Sequence, residues 1–451
     1  MRETHPGPSD WMTRLRCLAI AAIVLAGCGW REAPHPAPAS PVTLSYFRLG
    51  WSQPDELPAA ERLSQAFTQQ TGVRIKHPPV PETSLSQLDL SRKLLREGST
   101  PPDVFGVDVI WSGALESEFL DLRPYFAKEL ADMDPQLVSG FSVGERLVAV
   151  PYQAQVGVLE YRVDLLRDYG YTRPPRTWDE LETMATKIQA GERAKGKHEF
   201  WGYVWQGAPA ESLTCNGLEW QAAEGGGHII EGDHTISVNN PAVVRAWERA
   251  KKWIGWISPP SVVEYRELDS MNMFDSGLAA FSRNWGGATH GAVVKGVDQS
   301  RQVHWRESLL SGRVGYAGIP GGPGGRFGTL GGSGLAVSRH SSHSREAIEF
   351  IRFLLREQGR SGENQVGNVP AIAELHDLPL VLDASAEMNK SGIVARPSNT
   401  AGPSYELATR AYIAAVHSVL TGRKAAPQAA ADLERELMKI TGFKAGKVMR
   451  N

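Results

Sequence analysis

Within the body of this chain, the residues whose types and spacing could do chemistry fall into two groups. The first is the glycine-rich stretch 321–334. A phosphate-cradling loop ends in Gly-Lys-Ser/Thr so that backbone amides and a lysine meet the phosphates, and no such lysine is present here. Gly331-Gly332-Ser333-Gly334 approaches the Gly-x-Ser-x-Gly nucleophile elbow, but Leu335 stands where the last glycine must be. His340 and His343 are followed by a helix start rather than by further ligands, and His-Glu-x-x-His and paired Cys-x-x-Cys are both missing, so neither a metal nor a cofactor is expected. The stretch reads as a mobile loop feeding a strand, Leu335-Ala336-Val337-Ser338. The second group is aromatic residues in polar, non-periodic company: Trp111 after Asp108, Trp201 and Trp205 around Tyr203, Trp220 after Glu219, and Trp285 after Asn284. The 13 tryptophans exceed what a core demands. A sugar presents apolar C–H faces and a rim of hydroxyls, so its site needs flat rings for the faces and carboxylates, amides and arginine for the rim. The aromatic pattern therefore points to carbohydrate.

A different chemistry is written at the N-terminus. Arg14 and Arg16 precede an apolar run, Leu18 to Val24, which closes in Leu25-Ala26-Gly27-Cys28. A cationic segment, a short apolar core and small residues at a cleavage point describe a secretory signal peptide, and the run is too short to span a bilayer. Leu-Ala-Gly-Cys at this place resembles the lipobox of bacterial lipoproteins, which implies a diacylglycerol on the Cys28 sulfur and Cys28 as the first mature residue. Residues 1–27 then form the signal peptide, with Met1 or Met12 as the start. Residues 28–41 form a tether, because Pro34, Pro36, Pro38 and Pro41 favour an extended, solvated chain that cannot build a core.

Those side chains need a scaffold, and the 451-residue chain is long enough for two or three domains at about 150 residues each. A hydrophobic content of 41% with 22% charged residues is ordinary for a soluble globular protein. A net charge of −2 gives no electrostatic footprint for nucleic acid. With Cys17 in the leader and Cys28 assigned to lipid, Cys215 is left alone and no internal disulfide can form. Short β-rich runs alternate with helical patterns, the signature of an α/β fold. Val42-Thr43-Leu44-Ser45-Tyr46-Phe47 reads as a first strand, Val73-Arg74-Ile75 as a second, and Asp103-Val104-Phe105-Gly106-Val107-Asp108 as a third. Leu147 to Pro151 and Val156 to Tyr161 read as two further extended segments. Thr177-Trp178-Asp179-Glu180 is a capping box, and Asn240-Pro241 places a capping side chain before a proline at the first helical position.

Seven pieces then occur in one order. Pro102-Asp103-Val104-Phe105-Gly106-Val107-Asp108-Val109-Ile110-Trp111 comes first. Val150-Pro151-Tyr152 with Tyr161-Arg162-Val163-Asp164-Leu165-Leu166 follows, then Pro174-Pro175-Arg176-Thr177-Trp178-Asp179-Glu180-Leu181. Leu213-Thr214-Cys215-Asn216-Gly217-Leu218-Glu219-Trp220 is next, then Gly277-Leu278-Ala279-Ala280-Phe281 with Asn284-Trp285, Leu330-Gly331-Gly332, and Arg396-Pro397. With these pieces, residues 42–443 resemble the extracellular solute-binding proteins of ABC sugar importers, the group of maltose- and trehalose/maltose-binding proteins. The resemblance implies a two-lobed periplasmic-binding-protein fold of type II, closing on its ligand by a hinge motion. Lobe 1 would hold residues 42–153 and 320–358, and lobe 2 residues 156–315 and 363–451, with hinge crossings at 153–156 and 315–320. It further implies a monomer that takes a di- or oligosaccharide, works with ABC permease subunits, and has no enzymatic activity.

By the same resemblance Asp108 and Glu56 grip hydroxyls, Trp285 stacks on a ring face, Gln155 sits at a hinge position facing the ligand, Arg396 donates from the second lobe, and the backbone at Gly332 approaches closely; the aromatic pattern adds Trp111 to the ligand-binding candidates. Asp108 could instead cap a turn after its strand, Glu56 could serve a helix dipole, and Arg396 could be a lobe-to-lobe ion pair. Three positions depart from the trehalose-binding relatives: Gln155 where they carry Asp or Asn, Gln87 where they carry Arg, and Ser333 where they carry Trp. Trehalose is therefore not carried over as the substrate. Two rivals remain open. A lipid-anchored glycoside hydrolase would use Glu56 and Asp108 as paired carboxylates, and a non-transporting sensor lipoprotein would share the same fold.

Overall fold

The computed structural model describes residues 41–49, 56–81, 84–97, 101–285, 292–297, 303–307, 310, 313–357, 369–370 and 392–446. Cys28, the leader and nearly all of the tether lie outside them, as does the side chain of Glu56. Among the described residues no helix is long and apolar enough to cross a membrane.

The chain from Val42 onward is one compact unit. It begins with strand β1, Thr43–Phe47, in which Leu44 and Phe47 are wholly buried. Helix α1, Glu56–Thr71, leads to β2, Arg74–Lys76, and helix α2, Ser84–Glu97, leads to β3, Val104–Asp108. β1 pairs in parallel with both neighbours, and every residue of β3 is buried, as expected for a parallel strand covered on both faces. Residues 142–143 and 146–147 make a small antiparallel hairpin before β4, Val150–Arg162. The two extended segments expected over 147–161 are thus replaced by one strand of 13 residues.

Helix α3, Trp178–Ala194, starts where its capping residues predict, with the amide of Glu180 donating to Thr177 Oγ1 at 3.2 Å. The Glu180 carboxylate accepts from the Arg173 guanidinium and from the Arg176 amide, at 2.9 and 2.7 Å, which together hold it well below the usual carboxylate range, near 2. Strand β5, Trp201–Val204, and helices α4, Glu211–Ala223, and α5, Pro241–Trp253, follow. Asn240 Oδ1 caps α5 by accepting from the amides of Ala242 and Val243, at 3.0 and 3.1 Å. Then come β6, Ala279–Trp285, β7, Val314–Gly318, and β8, Phe327–Val337. Helix α6, Ser344–Glu357, packs Phe350 and Phe353 against Phe67 of α1, with ring centroids 5.0 and 5.3 Å apart. Short strands β9, Val369–Pro370, and β10, Gly392–Val394, precede α7, Tyr405–Leu420, and α8, Ala426–Thr441.

Among the described residues ten strands join one sheet, in the order β2-β1-β3-β8-β4-β6-β5, with β7 and β9 paired to β4 and β10 to β8. β4 and β8 run antiparallel through its middle. The first part of β4 pairs with the second part of β8, while Gly157–Tyr161 of β4 pairs with β6. Each long strand therefore belongs to both halves of the sheet. Residues 327–334, expected as loop, are strand. The expectation failed because glycine lowers local strand propensity, whereas tertiary neighbours here require it. A Cβ at Gly331 would lie 2.7 Å from Trp285 Cζ3, and one at Gly334 would lie 2.9 Å from the Phe141 ring.

The second half carries an aromatic core. Trp205 and Trp220 meet edge to face at 5.0 Å and Trp220 and Trp253 at 5.8 Å, while Trp178 and Trp253 pack tilted at 5.1 Å. Trp111, Trp205 and Trp220, which the sequence offered as sugar stackers, are fully buried and present no ring face to solvent. At Gly157, opposite Trp285 on β6, a methyl group would overlap Oε1 of Glu219 and stand 2.6 Å from Nη2 of Arg283. Gly157→Ala is expected to lower unfolding stability by about 1–3 kcal/mol through overpacking, read from the urea midpoint at unchanged slope.

Candidate functional site

Residues directly opposite across paired strands share a face of the sheet. The register sets Asp108 of β3 opposite Ser333 of β8, and Ser333 opposite Gln153 of β4. One pleat further along, Gly331 faces Gln155, and beyond it Gly157 faces Trp285. Asp108, Ser333, Gln153, Gln155 and Trp285 are thereby brought to one face, where the two halves of the sheet meet. Ser333 donates to Gln153 Oε1 at 3.1 Å. Gln153, Gln155 and Trp285 are half-buried, while α4 covers the neighbouring part of this face. The surface is polar, partly open and backed by an indole.

Asp108 ends its strand as the sequence implied, and it also performs the alternative task. Its Oδ1 accepts from the Ile110 amide at 3.3 Å and caps the short turn Val109–Trp111. Trp111 lies in that turn, wholly enclosed, so the structure separates it from the open face. Gly332 adopts φ 123°, a backbone conformation that a side chain would strain, and a Cβ there would overlap the Gln153 carbonyl. The close approach at Gly332 is thus of strand to strand. Gln87 is buried and donates to the Pro81 carbonyl at 2.7 Å. Glu56 opens α1.

Arg396 is placed differently from the other candidates. Its side chain is only 4% exposed. Nη1 donates to Glu211 at 3.1 Å and Nη2 to the Leu330 carbonyl at 3.3 Å, while Asp108 Oδ1 is 3.8 Å from Nη2. Among the described residues its Nε has no hydrogen-bond partner. The arginine lines a cavity of about 510 Å³ with Val109, Ile110, Leu330, Ile393 and Asn399.

Sequence reasoning did not single out Glu211, Tyr405, Glu219 or Arg283. Glu211 accepts from Tyr405 Oη and, at 2.9 Å, from Thr409 Oγ1. Burial pushes its carboxyl above the usual range, opposed by Arg396, Tyr405 and Thr409. Glu219 and Arg283 form a bidentate pair, Nη2 to Oε1 at 2.6 Å and Nε to Oε2 at 3.0 Å, with neither side chain exposed. The available signal was Arg283 standing two residues before Trp285 on a strand, and therefore on the same face. Cys215 lies beneath this region, its thiol pushed up to about 12 by burial, so it stays protonated and unreactive.

Two α/β halves threaded by two long strands, with polar and aromatic side chains collected at the crossing, define a two-lobed substrate-binding protein of the MalE type. The chain belongs to the bacterial extracellular solute-binding protein family, whose model matches residues 50–361. It is 38% identical over 388 residues to a probable ABC transporter-binding protein of Deinococcus radiodurans, covering 84% of this chain and 89% of that one. The solved structure of maltose-bound T. maritima MalE3 superposes with a TM-score of 0.76 at 30% identity, over 88% of this chain and all of that one. A Thermotoga lettingae solute-binding protein bound to α-D-tagatose shares the fold, with a TM-score of 0.75 at 20% identity over 89% of this chain and all of that one. The chain is accordingly an extracytoplasmic solute-binding protein of an ABC transporter, related to substrate-binding proteins rather than to enzymes.

Removing one partner of a buried ion pair leaves the other charge uncompensated. Arg396→Met should therefore cost about 3–5 kcal/mol of stability. Adding Glu211→Gln to it should restore part of that loss, as a double-mutant cycle by urea unfolding measures.

Proposed function

We propose that this protein is a lipid-anchored trap that captures a neutral di- or oligosaccharide outside the cytoplasmic membrane and hands it to an ABC permease. The observation that carries the reading is the half-buried indole of Trp285 at one end of a face whose other members are Asp108, Ser333, Gln153 and Gln155. An indole offers a flat apolar surface to a sugar ring, while the carboxylate and amides offer acceptors and donors to its hydroxyls. The maltose in the related T. maritima protein supports the same ligand class. Asp108 and Gln155 would bind hydroxyls directly, and Glu56 would join them from the start of α1. Arg396, committed to Glu211 and the Leu330 carbonyl, would act by orienting Asp108. Capture needs only binding and release, so a micromolar dissociation constant, about −8 kcal/mol, suits the task.

A thermal-shift screen against mono-, di- and oligosaccharides tests the ligand class, because a ligand that binds only the folded state raises its melting temperature by mass action. The sugar recovered after incubation should be unaltered; turnover would move the protein to the hydrolase reading. Asp108→Ala and Trp285→Ala should each raise the dissociation constant about tenfold or more, by titration calorimetry, with the far-UV spectrum unchanged. Normal binding by both would remove this face from the site.

The anchor rests on Leu25-Ala26-Gly27-Cys28 and the proline-rich residues that follow. A single acyl chain gives marginal membrane binding, whereas two chains hold stably, so a diacylglycerol on Cys28 would keep the trap beside its permease. In cells, Cys28→Ser should shift the protein from the membrane to the soluble fraction. Persistence of that variant in washed membranes would refute the lipid anchor.

A further inference from the structure

Trp285 stands over a buried cation. Arg283, two residues earlier on β6, places its guanidinium carbon 4.4 Å from the indole centroid, well inside the range of about 6 Å in which a cation is drawn to an aromatic face. Such contacts are stronger when desolvated, and Arg283 is wholly buried. Its rigid fork is held by both oxygens of Glu219, at 2.6 and 3.0 Å. Oε1 of Glu219 also accepts from the Thr329 amide of β8 at 3.0 Å, so the carboxylate that fixes the arginine is itself fixed to the central strand. The Arg283 carbonyl accepts from Gln206 Nε2 at 2.7 Å, and Asn216 holds the other end of that amide at 2.9 Å.

The neighbouring backbone leaves room for this arrangement only because two residues lack side chains. Gly157 makes space for the Glu219–Arg283 pair, and Gly331 makes space for the indole. The ring is thus backed on one side by the guanidinium and bounded by Gly331, while part of it remains exposed.

We infer that Arg283 is a positioning residue for the ligand, its buried guanidinium fixing the plane of the Trp285 indole before any sugar arrives, with Glu219 as the clamp that ties this platform to β8. This rests on the reading of Trp285 as the surface on which a sugar ring stacks. A ring already immobilised loses less conformational freedom on binding, which is how preorganisation raises affinity.

The test uses the full mature chain labelled with 5-fluorotryptophan. Loss of one ¹⁹F resonance in Trp285→Phe assigns that position. In the absence of sugar, Arg283→Lys, which keeps the charge but loses the fork, should move and broaden the Trp285 resonance and leave those of Trp178, Trp205 and Trp253 in place. With maltose as probe, Arg283→Lys should raise the dissociation constant about tenfold, and it should cause no further loss once Trp285 is already Ala, because coupled residues are not additive. An unmoved Trp285 resonance overturns the inference, and so does an undiminished effect of Arg283→Lys in the Trp285→Ala background. Should Arg283→Lys fail to fold, the arginine is left intact and its Nε–H resonance is followed instead. Trp285→Ala should shift that resonance through loss of the ring current, and an unchanged position overturns the inference. Unaltered maltose affinity in Trp285→Ala alone would instead defeat the sugar-platform reading, whatever the free-protein spectra do.

Discussion

The register between β4 and β8 is the constraint on which the site depends. Leu330 faces Val156, Gly331 faces Gln155, Gly332 faces Ala154 and Ser333 faces Gln153, and beyond Ser333 the pairing shifts by one residue. Because side chains alternate along a strand, a slip by one residue would send Gln153, Gln155, Ser333 and the Trp285-facing glycine to the opposite side together. The register is held by sterics. Gly332 can meet the Gln153 carbonyl only without a Cβ, and Gly334 accepts the Phe141 ring in the same way. The irregularity after Ser333 lets one strand present a polar residue to Gln153 and then return to the apolar packing of Leu335 with Val150.

Around that register the protein spends buried charge on geometry. Replacing a buried ion pair by apolar residues of like volume is often neutral or stabilising, so Glu219–Arg283 and Glu211–Arg396 are poorly explained as sources of stability. What both do is join separate elements. Glu219 of α4 reaches Arg283 of β6 and the backbone of β8, and Glu211 of α4 reaches Arg396 and Tyr405 of α7. Both carboxylates stand on one helix that lies over the second half of the sheet. α4 thereby sets the position of an indole at one edge of the open face and, through Arg396, lies one ion pair away from Asp108 at the other.

Much of this was legible in the sequence where local chemistry decides. β1, β3, the Thr177 and Asn240 caps and the place of Asp108 at its strand end follow from apolar runs and capping side chains, and the structure has them. The glycine-rich stretch was misread because glycine marks a loop by local preference, while Gly331, Gly332 and Gly334 answer to Trp285, Gln153 and Phe141, residues more than forty positions away in sequence. The tryptophans failed for a related reason. Trp205, Trp220 and Trp285 all sit among polar residues in sequence, and only tertiary packing separates the two that build a core from the one that stays partly open. Arg283 and Glu219 were invisible as a pair because 64 positions separate them.

The same geometry bears on what a ligand could be. On the proposed reading, Asp108 is the described carboxylate on the face, and its neighbours Ser333, Gln153 and Gln155 are uncharged groups that both donate and accept. A carboxylate between vicinal hydroxyls enforces one arrangement of donors, whereas an amide can pair with hydroxyls oriented either way. Rejection of a wrong sugar is steep only where a buried polar group would be left unpaired, and half-buried glutamines can return to water at little cost. Discrimination should therefore concentrate at Asp108, which is 4% exposed, and relax toward Gln155. Trp285 is the described aromatic platform of the face, so on this reading the ring stacked there would be the anchored unit and the remainder of the sugar would be held by hydrogen bonds.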